Sequence, residues 1–320
     1  MKYRQLGKTG VKVPEIGFGT WGLGGDKGGS KAYGPTDDRQ SEAALNRAFD
    51  LGITFYDTAD LYGFGHSESV LGKTFKQKRS QVIIAGKVGF VDLNASQDFS
   101  PDYIRRTLLG SLQRLSTDYI DVYQLHSPSF ETLERMPEAL ETMKCLKQEG
   151  LVKCYGVSLR SPDEGLKLLR LCPVDCIQVN FNLTDQRALQ NGLFDLCAKM
   201  GVGVIVRTPL CFGFLTGEYA DVGLLAESDH RRKWPQAQVK LWNNASQLFA
   251  RLLKKEKQTK AQLALRFCLS FQAVSTAIPG MLNPAQIEEN AQASRMGALT
   301  PEELAEIQSV YTAHDFFLRQ

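Results

Sequence analysis

The chain of 320 residues carries 38 Lys+Arg against 35 Asp+Glu, a formal charge of +3, with 43% hydrophobic and 23% charged residues. That composition excludes a disordered or fibrous chain, and the near-balanced charge excludes a nucleic-acid surface built on net positive charge. No apolar run approaches the ~20 residues of a membrane span, and the opening Met1-Lys2-Tyr3-Arg4-Gln5 develops no signal-like apolar stretch, so a soluble cytoplasmic protein acting on a small molecule is expected.

Residues 2–14 read as a short hairpin, Tyr3-Arg4-Gln5-Leu6 and Val11-Lys12-Val13 around a glycine-bounded turn. A first buried strand follows at 15–18, then a Gly-rich loop at 24–39 and a helix at 40–51 ended by Gly52. From there short β-branched or aromatic runs alternate with stretches of helical period. Strands are expected at 53–56, 82–85, 119–123, 154–157, 176–179, 202–206 and 273–277. Helices are expected at 67–75, 101–115, 136–149, 162–171, 188–200, 260–271 and 284–293. Ser100-Pro101 and Ser161-Pro162 supply N-caps with Pro at the first helical position, and Gly150 and Gly201 supply C-terminal stops. The passage 207–245 reads as a long loop containing Asp229-His230-Arg231-Arg232-Lys233-Trp234, and Lys254-Lys255-Glu256-Lys257 as a solvated helix face. A last helix at 302–313 is introduced by Thr300 and Pro301.

Eight β-α units in about 280 residues favour a closed (β/α)8 TIM barrel, one domain over 1–320. The hairpin would cap its lower end, and the last helix would be an addition. The rival, an open doubly wound sheet, announces itself with GxGxxG after the first strand. Here Gly17-Phe18-Gly19-Thr20-Trp21-Gly22-Leu23-Gly24-Gly25 has the wrong spacing, and no helix follows it directly. Seven cysteines include no CxxC pair and sit mostly in apolar runs, which suits buried reduced thiols and no metal site.

The chemistry lies where strands stop. The second runs into Asp57 with Tyr62 five residues on, the third through Gly86 into Lys87, and the fourth ends at His126. Consecutive barrel strands are neighbours and open on one face, so the four side chains should converge. Singly, each has a structural reading: a turn-forming Asp, a loop aromatic, a snorkelling Lys, a packed His. Together they suggest a tyrosine acid. A nearby ammonium, itself held by Asp57, would lower the phenol pKa from about 10. His126 would orient a carbonyl oxygen, and Tyr62 would protonate it as hydride arrives from a nicotinamide.

Three stretches carry a family resemblance over nearly the whole length. Leu51-Gly52-Ile53-Thr54-Phe55-Tyr56-Asp57-Thr58-Ala59-Asp60-Leu61-Tyr62-Gly63 resembles the aspartate-tyrosine signature of the aldo-keto reductases. Gly86-Lys87-Val88-Gly89 resembles their lysine segment, and Asp118-Tyr119-Ile120-Asp121-Val122-Tyr123-Gln124-Leu125-His126 their histidine strand. The resemblance implies a reversible NADPH-dependent reduction of an aldehyde or ketone, with Tyr62 as acid/base aided by Asp57, Lys87 and His126. It further implies cofactor contacts from Gly19, Thr20, Trp21 and Asp57, a carboxamide held by Ser158 and Gln178, and a covering stretch from Arg207, Thr208 and Leu210 to Gly213, Leu215 and Gly217. Pro279, Gly280, Met281, Gln286, Glu289 and Asn290 fall at the adenosine end, and Trp21 and Tyr33 join Tyr62 and His126 in the substrate pocket. Arg207 stands where many members place an aromatic, and Leu159 where Asn is common. Gly280, Met281 and Gln286 replace a Lys, Ser and Arg that grip the 2′-phosphate in many relatives, which weakens the preference for NADP over NAD. Some branches of the family carry Gly and Gln there and still take NADP, so the resemblance implies NADP first and NAD second. Two other readings stay open: a Schiff-base aldolase or isomerase barrel using Lys87, and a cofactor-binding regulatory subunit of the same superfamily. The substrate and the oligomeric state are not encoded in any motif.

Overall fold

The computed structural model describes residues 1–219, 221–253 and 258–318; the 254–257 run lies outside them. Strands β1 (Tyr3–Gln5) and β2 (Lys12–Pro14) pair antiparallel as the expected hairpin. The β-branched and aromatic runs then form β3 (Phe18–Gly19), β4 (Phe55–Asp57), β5 (Ile83–Val88), β6 (Ile120–His126), β7 (Val152–Ser158), β8 (Cys176–Asn180), β9 (Gly203–Arg207) and β10 (Val274–Ala277). These eight pair in chain order, every pair parallel. The ring closes where Ile16 bridges Ala277 and Gly19 bridges Gly280. There the Gly17 amide donates to the Ala277 carbonyl at 2.8 Å and the Gly19 amide to the Pro279 carbonyl at 3.0 Å. This is the (β/α)8 barrel.

The surrounding helices are α1 (Asp38–Asp50), α2 (His66–Phe75), α3 (Pro101–Leu115), α4 (Phe130–Arg135), α5 (Pro137–Gln148) and α6 (Pro162–Leu171). They continue with α7 (Arg187–Gln190), α8 (Leu193–Met200), α9 (Gln236–Ala250), α10 (Lys260–Leu269), α11 (Pro284–Met296) and α12 (Pro301–Ala313). Ser100 and Ser161 accept from the amides of Tyr103 and Glu164, so both caps act as read. Three expectations need correction. The helix expected over 136–149 is preceded by a separate α4, because Pro137 has no N–H to continue a helix and Met136 leaves helical geometry. The stretch 188–200 is split by Gly192 at φ 82°. The passage 207–245 contains most of α9, whose buried Val239, Trp242, Ala245, Ser246 and Phe249 follow a helical period.

The strand pleat divides the barrel interior into two levels. Side chains two residues apart share a face. Phe55, Ala85, Val122, Cys154, Cys176 and Ile205 form an apolar cluster inside the ring, joined from below by Leu6 and Val13. Two residues further along the same strands stand Asp57, Lys87, Gln124, Gly156, Gln178 and Arg207, so the level above is mostly polar. The hairpin thus plugs the apolar end, and Arg4 ties it down by donating to the carbonyls of Leu269, Phe271 and Val274 at 2.5, 3.1 and 2.8 Å. No helix among the described residues is long and apolar enough to cross a membrane.

Because Leu6 is fully buried under the barrel, Leu6→Ala should cost about 2–5 kcal/mol of stability. Urea unfolding checks this, and an unchanged midpoint would mean that the hairpin is not part of the cooperative core.

Candidate active site

Asp57 closes β4 and Lys87 lies near the end of β5, adjacent strands in register through Asp57 and Ala85. The Lys87 side chain is completely buried. Its ammonium donates to Asp57 Oδ1 at 2.5 Å, to the Thr58 carbonyl at 2.9 Å and to the Tyr62 hydroxyl at 3.2 Å. Three acceptors match its three N–H bonds, which is what a desolvated ammonium requires. The other Asp57 oxygen accepts from the Gln178 amide at 2.7 Å, with Gln124 at 3.5 Å. Ser158 donates to the Gln178 carbonyl oxygen at 3.3 Å, so the pair expected to hold a carboxamide is linked to Asp57 as one buried network.

Tyr62 is held by its loop. The Tyr62 amide donates to the Ala59 carbonyl and its carbonyl accepts from the Ser67 amide. Gly24, from the loop after β3, lies so close that a Cβ there would sit 2.7 Å from the Gly63 nitrogen and 2.8 Å from the Tyr62 carbonyl carbon. Only glycine permits that approach. His126 ends β6 with its ring edge-on to Tyr62 at 6.0 Å and to Phe90 at 4.8 Å.

Burial alone would strip the charge from Lys87, but Asp57 and Tyr62 together outweigh it and hold the ammonium above its ordinary pKa. Burial also sets His126, pushing it well below 6.5 with help from the positive charges of Lys87 and Arg207, so the imidazole is neutral. For Tyr62 the expected lowering needs correction: burial raises the phenol pKa more than the Lys87 field lowers it.

A cleft of about 590 Å³ opens over these groups. Its walls include Gly19, Trp21, Tyr33, Asp57, Tyr62, His126, Gln178, Arg207, Thr208, Leu210, Gly213, Pro279, Gly280 and Gln286 from the sequence reading. The other expected contacts are placed elsewhere. Thr20 is buried, its hydroxyl on the Asp57 carbonyl at 2.8 Å and on Ser67. Leu215 and Met281 belong to the main hydrophobic core rather than the cleft wall. Gly217 packs beside Lys260. Ser158, Glu289 and Asn290 lie outside the lining, Asn290 buried on α11.

Sequence reasoning missed an aromatic wall of Phe90, Phe212 and Tyr219, with the Arg231 guanidinium 3.8 Å from the Tyr219 ring centre. These residues sit on loops, where no period marks them. Gln124 was legible, two residues before His126 on the same strand face. The 229–233 segment is a short 3-10 turn capped by Asp229, which bridges Tyr33 across the mouth, and its His230 ring lies tilted 4.4 Å from Trp21.

The cleft suits a dinucleotide. Gly19, Gly213 and Gly280 line it, and their missing side chains let the Ile278 carbonyl, the Tyr219 ring and the Tyr33 ring pack close against them. Two lining side chains, His126 and Arg207, each keep a buried nitrogen (Nδ1 and Nε) with no hydrogen-bond partner among the described residues.

A model described as the Aldo/keto reductase family matches residues 15–312. The chain is 34% identical over 291 residues to a protein of Schizosaccharomyces pombe named aldo-keto reductase yakc [NADP(+)], covering 87% of this chain and 83% of that one. It is 30% identical over 311 residues to an NADH-specific methylglyoxal reductase of Escherichia coli, covering 92% and 93%. Among solved structures, the holo form of aldo-keto reductase AKR11C1 from Bacillus halodurans superposes with a TM-score of 0.78 at 32% identity, over 97% of this chain and 96% of that one.

The neutral state of His126 has a pH consequence. Its folded pKa lies below the ordinary value, so as pH falls from about 6.5 the unfolded chain binds a proton that the folded one refuses. His126 therefore takes away stability between pH 7 and 5, as does His230, which burial lowers to about 4, whereas Asp60, which burial raises to about 7, acts in the opposite direction. His126→Asn should lose less stability than wild type over that window. Urea midpoints at the two pH values test this; equal pH sensitivity of the two proteins would place the titrating group elsewhere.

Proposed function

The chain belongs to the aldo/keto reductase family and is an NAD(P)H-dependent oxidoreductase, and we propose that it reduces an aldehyde or ketone to the alcohol, reversibly, with Tyr62 as the general acid. The observation that carries this is the Lys87 ammonium, fully buried beneath the cleft and bonded to both Asp57 and Tyr62, which line it together with His126. Bound in this cleft, a nicotinamide dinucleotide supplies the hydride that no side chain can.

The residues of the chain do the rest. A carbonyl oxygen seated between the Tyr62 hydroxyl and the His126 ring is polarised by both. As negative charge grows on that oxygen, Tyr62 gives up its proton. Lys87 at 3.2 Å from the phenol oxygen stabilises the charge left behind. Asp57 keeps the ammonium charged and in place, and Gln178 fixes the carboxylate in turn. The aromatic walls of Trp21, Tyr33 and Phe90 exclude water around the reacting carbon. Gln178, Arg207, Gly213, Gly280 and Gln286 would hold the dinucleotide. Residues 280–290 contain no Lys or Arg for a 2′-phosphate. Among the relatives, one is named for NADP(+) and another is NADH-specific. On the family resemblance we take NADP as the first choice, and NAD, which the missing cations favour, as the second.

Lys87 is unsuited to a Schiff base, because its ammonium is charged and its three N–H bonds are all used.

Tyr62→Phe should lower kcat by about 100- to 10,000-fold while leaving dinucleotide affinity nearly unchanged, since the hydroxyl acts only as charge develops. Steady-state assay over a carbonyl panel and a fluorescence titration check both halves. Wild-type turnover in the variant would remove Tyr62 from the role.

A further inference from the structure

Near the reacting groups the cleft holds a positive charge that no ion pair among the described residues ties down. Lys87 is neutralised by Asp57 at 2.5 Å, and His126 is neutral. Arg207, the last residue of β9, has no carboxylate within ion-pair distance among the described residues. Its one side-chain hydrogen bond runs from Nη2 to the Leu159 carbonyl at 2.7 Å, and Nε is buried without a partner. Leu159 follows β7, and β8 lies between β7 and β9. The guanidinium therefore reaches across the upper end of β8, beside the Ser158–Gln178 pair. In the β6–β7 register Ser158 is opposite His126, so the charge lies on the His126 side of the barrel mouth. It lines the same cleft as Tyr62 and His126 and contributes to the electrostatic balance of both. A guanidinium stays protonated even when burial lowers its pKa, as it does here.

This placement bears on the dinucleotide in a way the reaction itself does not require. Any hydride donor must touch the carbonyl carbon whose oxygen lies at Tyr62 and His126, so its ring shares that part of the cleft with Arg207. The ring of the oxidised dinucleotide carries a positive charge, whereas the reduced ring is neutral; the phosphates are the same in both. We infer that Arg207 makes the site discriminate between the two oxidation states, holding the reduced dinucleotide more tightly than the oxidised one. The inference rests on the proposed oxidoreductase reading, and it deepens that reading by giving the site a directional bias. Repulsion between unit charges a few Å apart, at the effective dielectric of a partly buried site, corresponds to about tenfold or more in relative affinity. An aromatic side chain at this position would impose no such bias. Bound reduced cofactor would be favoured, and its oxidised product would be released more readily.

The test is a titration of the full-length protein with reduced and with oxidised dinucleotide, NADP(H) and NAD(H) in parallel, for wild type, Arg207→Gln and Arg207→Lys. Intrinsic fluorescence reads binding, since Trp21 lines the cleft. Wild type should bind the reduced form about tenfold or more tightly than the oxidised form. Arg207→Lys should keep most of that ratio, and Arg207→Gln should bring it to within about twofold, chiefly by tightening the oxidised form. A wild-type ratio near one overturns the inference, whether or not the glutamine variant folds. So does a large ratio that survives Arg207→Gln in a protein with an unchanged circular dichroism spectrum. Failure of wild type to bind either dinucleotide in either state is a different result: it removes the oxidoreductase reading, and the inference falls with it.

Discussion

A lysine ammonium with no water around it is the constraint from which the architecture of the site follows. Lys87 survives as a cation because one carboxylate, one backbone carbonyl and one phenol oxygen are all within hydrogen-bond reach. Those three acceptors come from the end of β4 and the loop that follows it. Such an arrangement needs two parallel strands side by side, β5 running on past the end of β4, and a loop folded back over the gap. Removing any acceptor would leave a buried charge partly unpaired, a larger penalty than the pair's own net contribution. The Asp57 carboxylate is bound in the same way from its other side by Gln178, three strands past the neighbouring β5 around the ring. The polar network therefore ties opposite parts of the barrel mouth together.

That network is affordable in stability because the level beneath it is apolar. The pleat turns alternate residues inward, so each strand contributes an apolar residue below and, on several strands, a polar one above. Leu6 and Val13 close the lower end, and Glu15 and the carbonyls near the start of β10 secure Arg4 of the hairpin. Stability is concentrated at one end and chemistry at the other. The close approach of Gly24 to the Tyr62–Gly63 backbone shows how far the upper end has been fitted around one side chain.

Much of this was legible because strand signals and strand-end residues occur together. Phe55-Tyr56-Asp57, Ala85-Gly86-Lys87 and Gln124-Leu125-His126 place an inward residue and its polar successor two apart, a period that needs no tertiary knowledge. What escaped was set by contacts distant in sequence. The 207–245 passage has turn-forming residues at its start, which hid the helical spacing of Val239, Trp242, Ala245 and Phe249. Phe90, Phe212 and Tyr219 meet over the cleft through loop conformations, and Phe212 sits at a positive φ that no propensity anticipates. Met281 and Leu215 follow the right segments but point into the core, a choice made by packing and not by the local motif.

The balance at Tyr62 was the subtlest point, since the sequence names both opposing effects without ranking them. An ammonium neighbour favours tyrosinate and burial favours the neutral phenol; in the structure burial is the larger. This outcome suits a proton donor better than the simpler expectation does. A strongly acidified tyrosine would already be ionised near neutral pH and would have no proton to give to a carbonyl oxygen. In the proposed role, burial would hold the proton on and Lys87 would limit the cost of losing it, so that the phenol would stay neutral until charge develops on the substrate. The same burial keeps His126 neutral, so it can offer a ring N–H without carrying a charge that would compete with Lys87. Desolvation, usually counted only as a cost of placing polar groups inside a protein, here sets the protonation state in which the site waits.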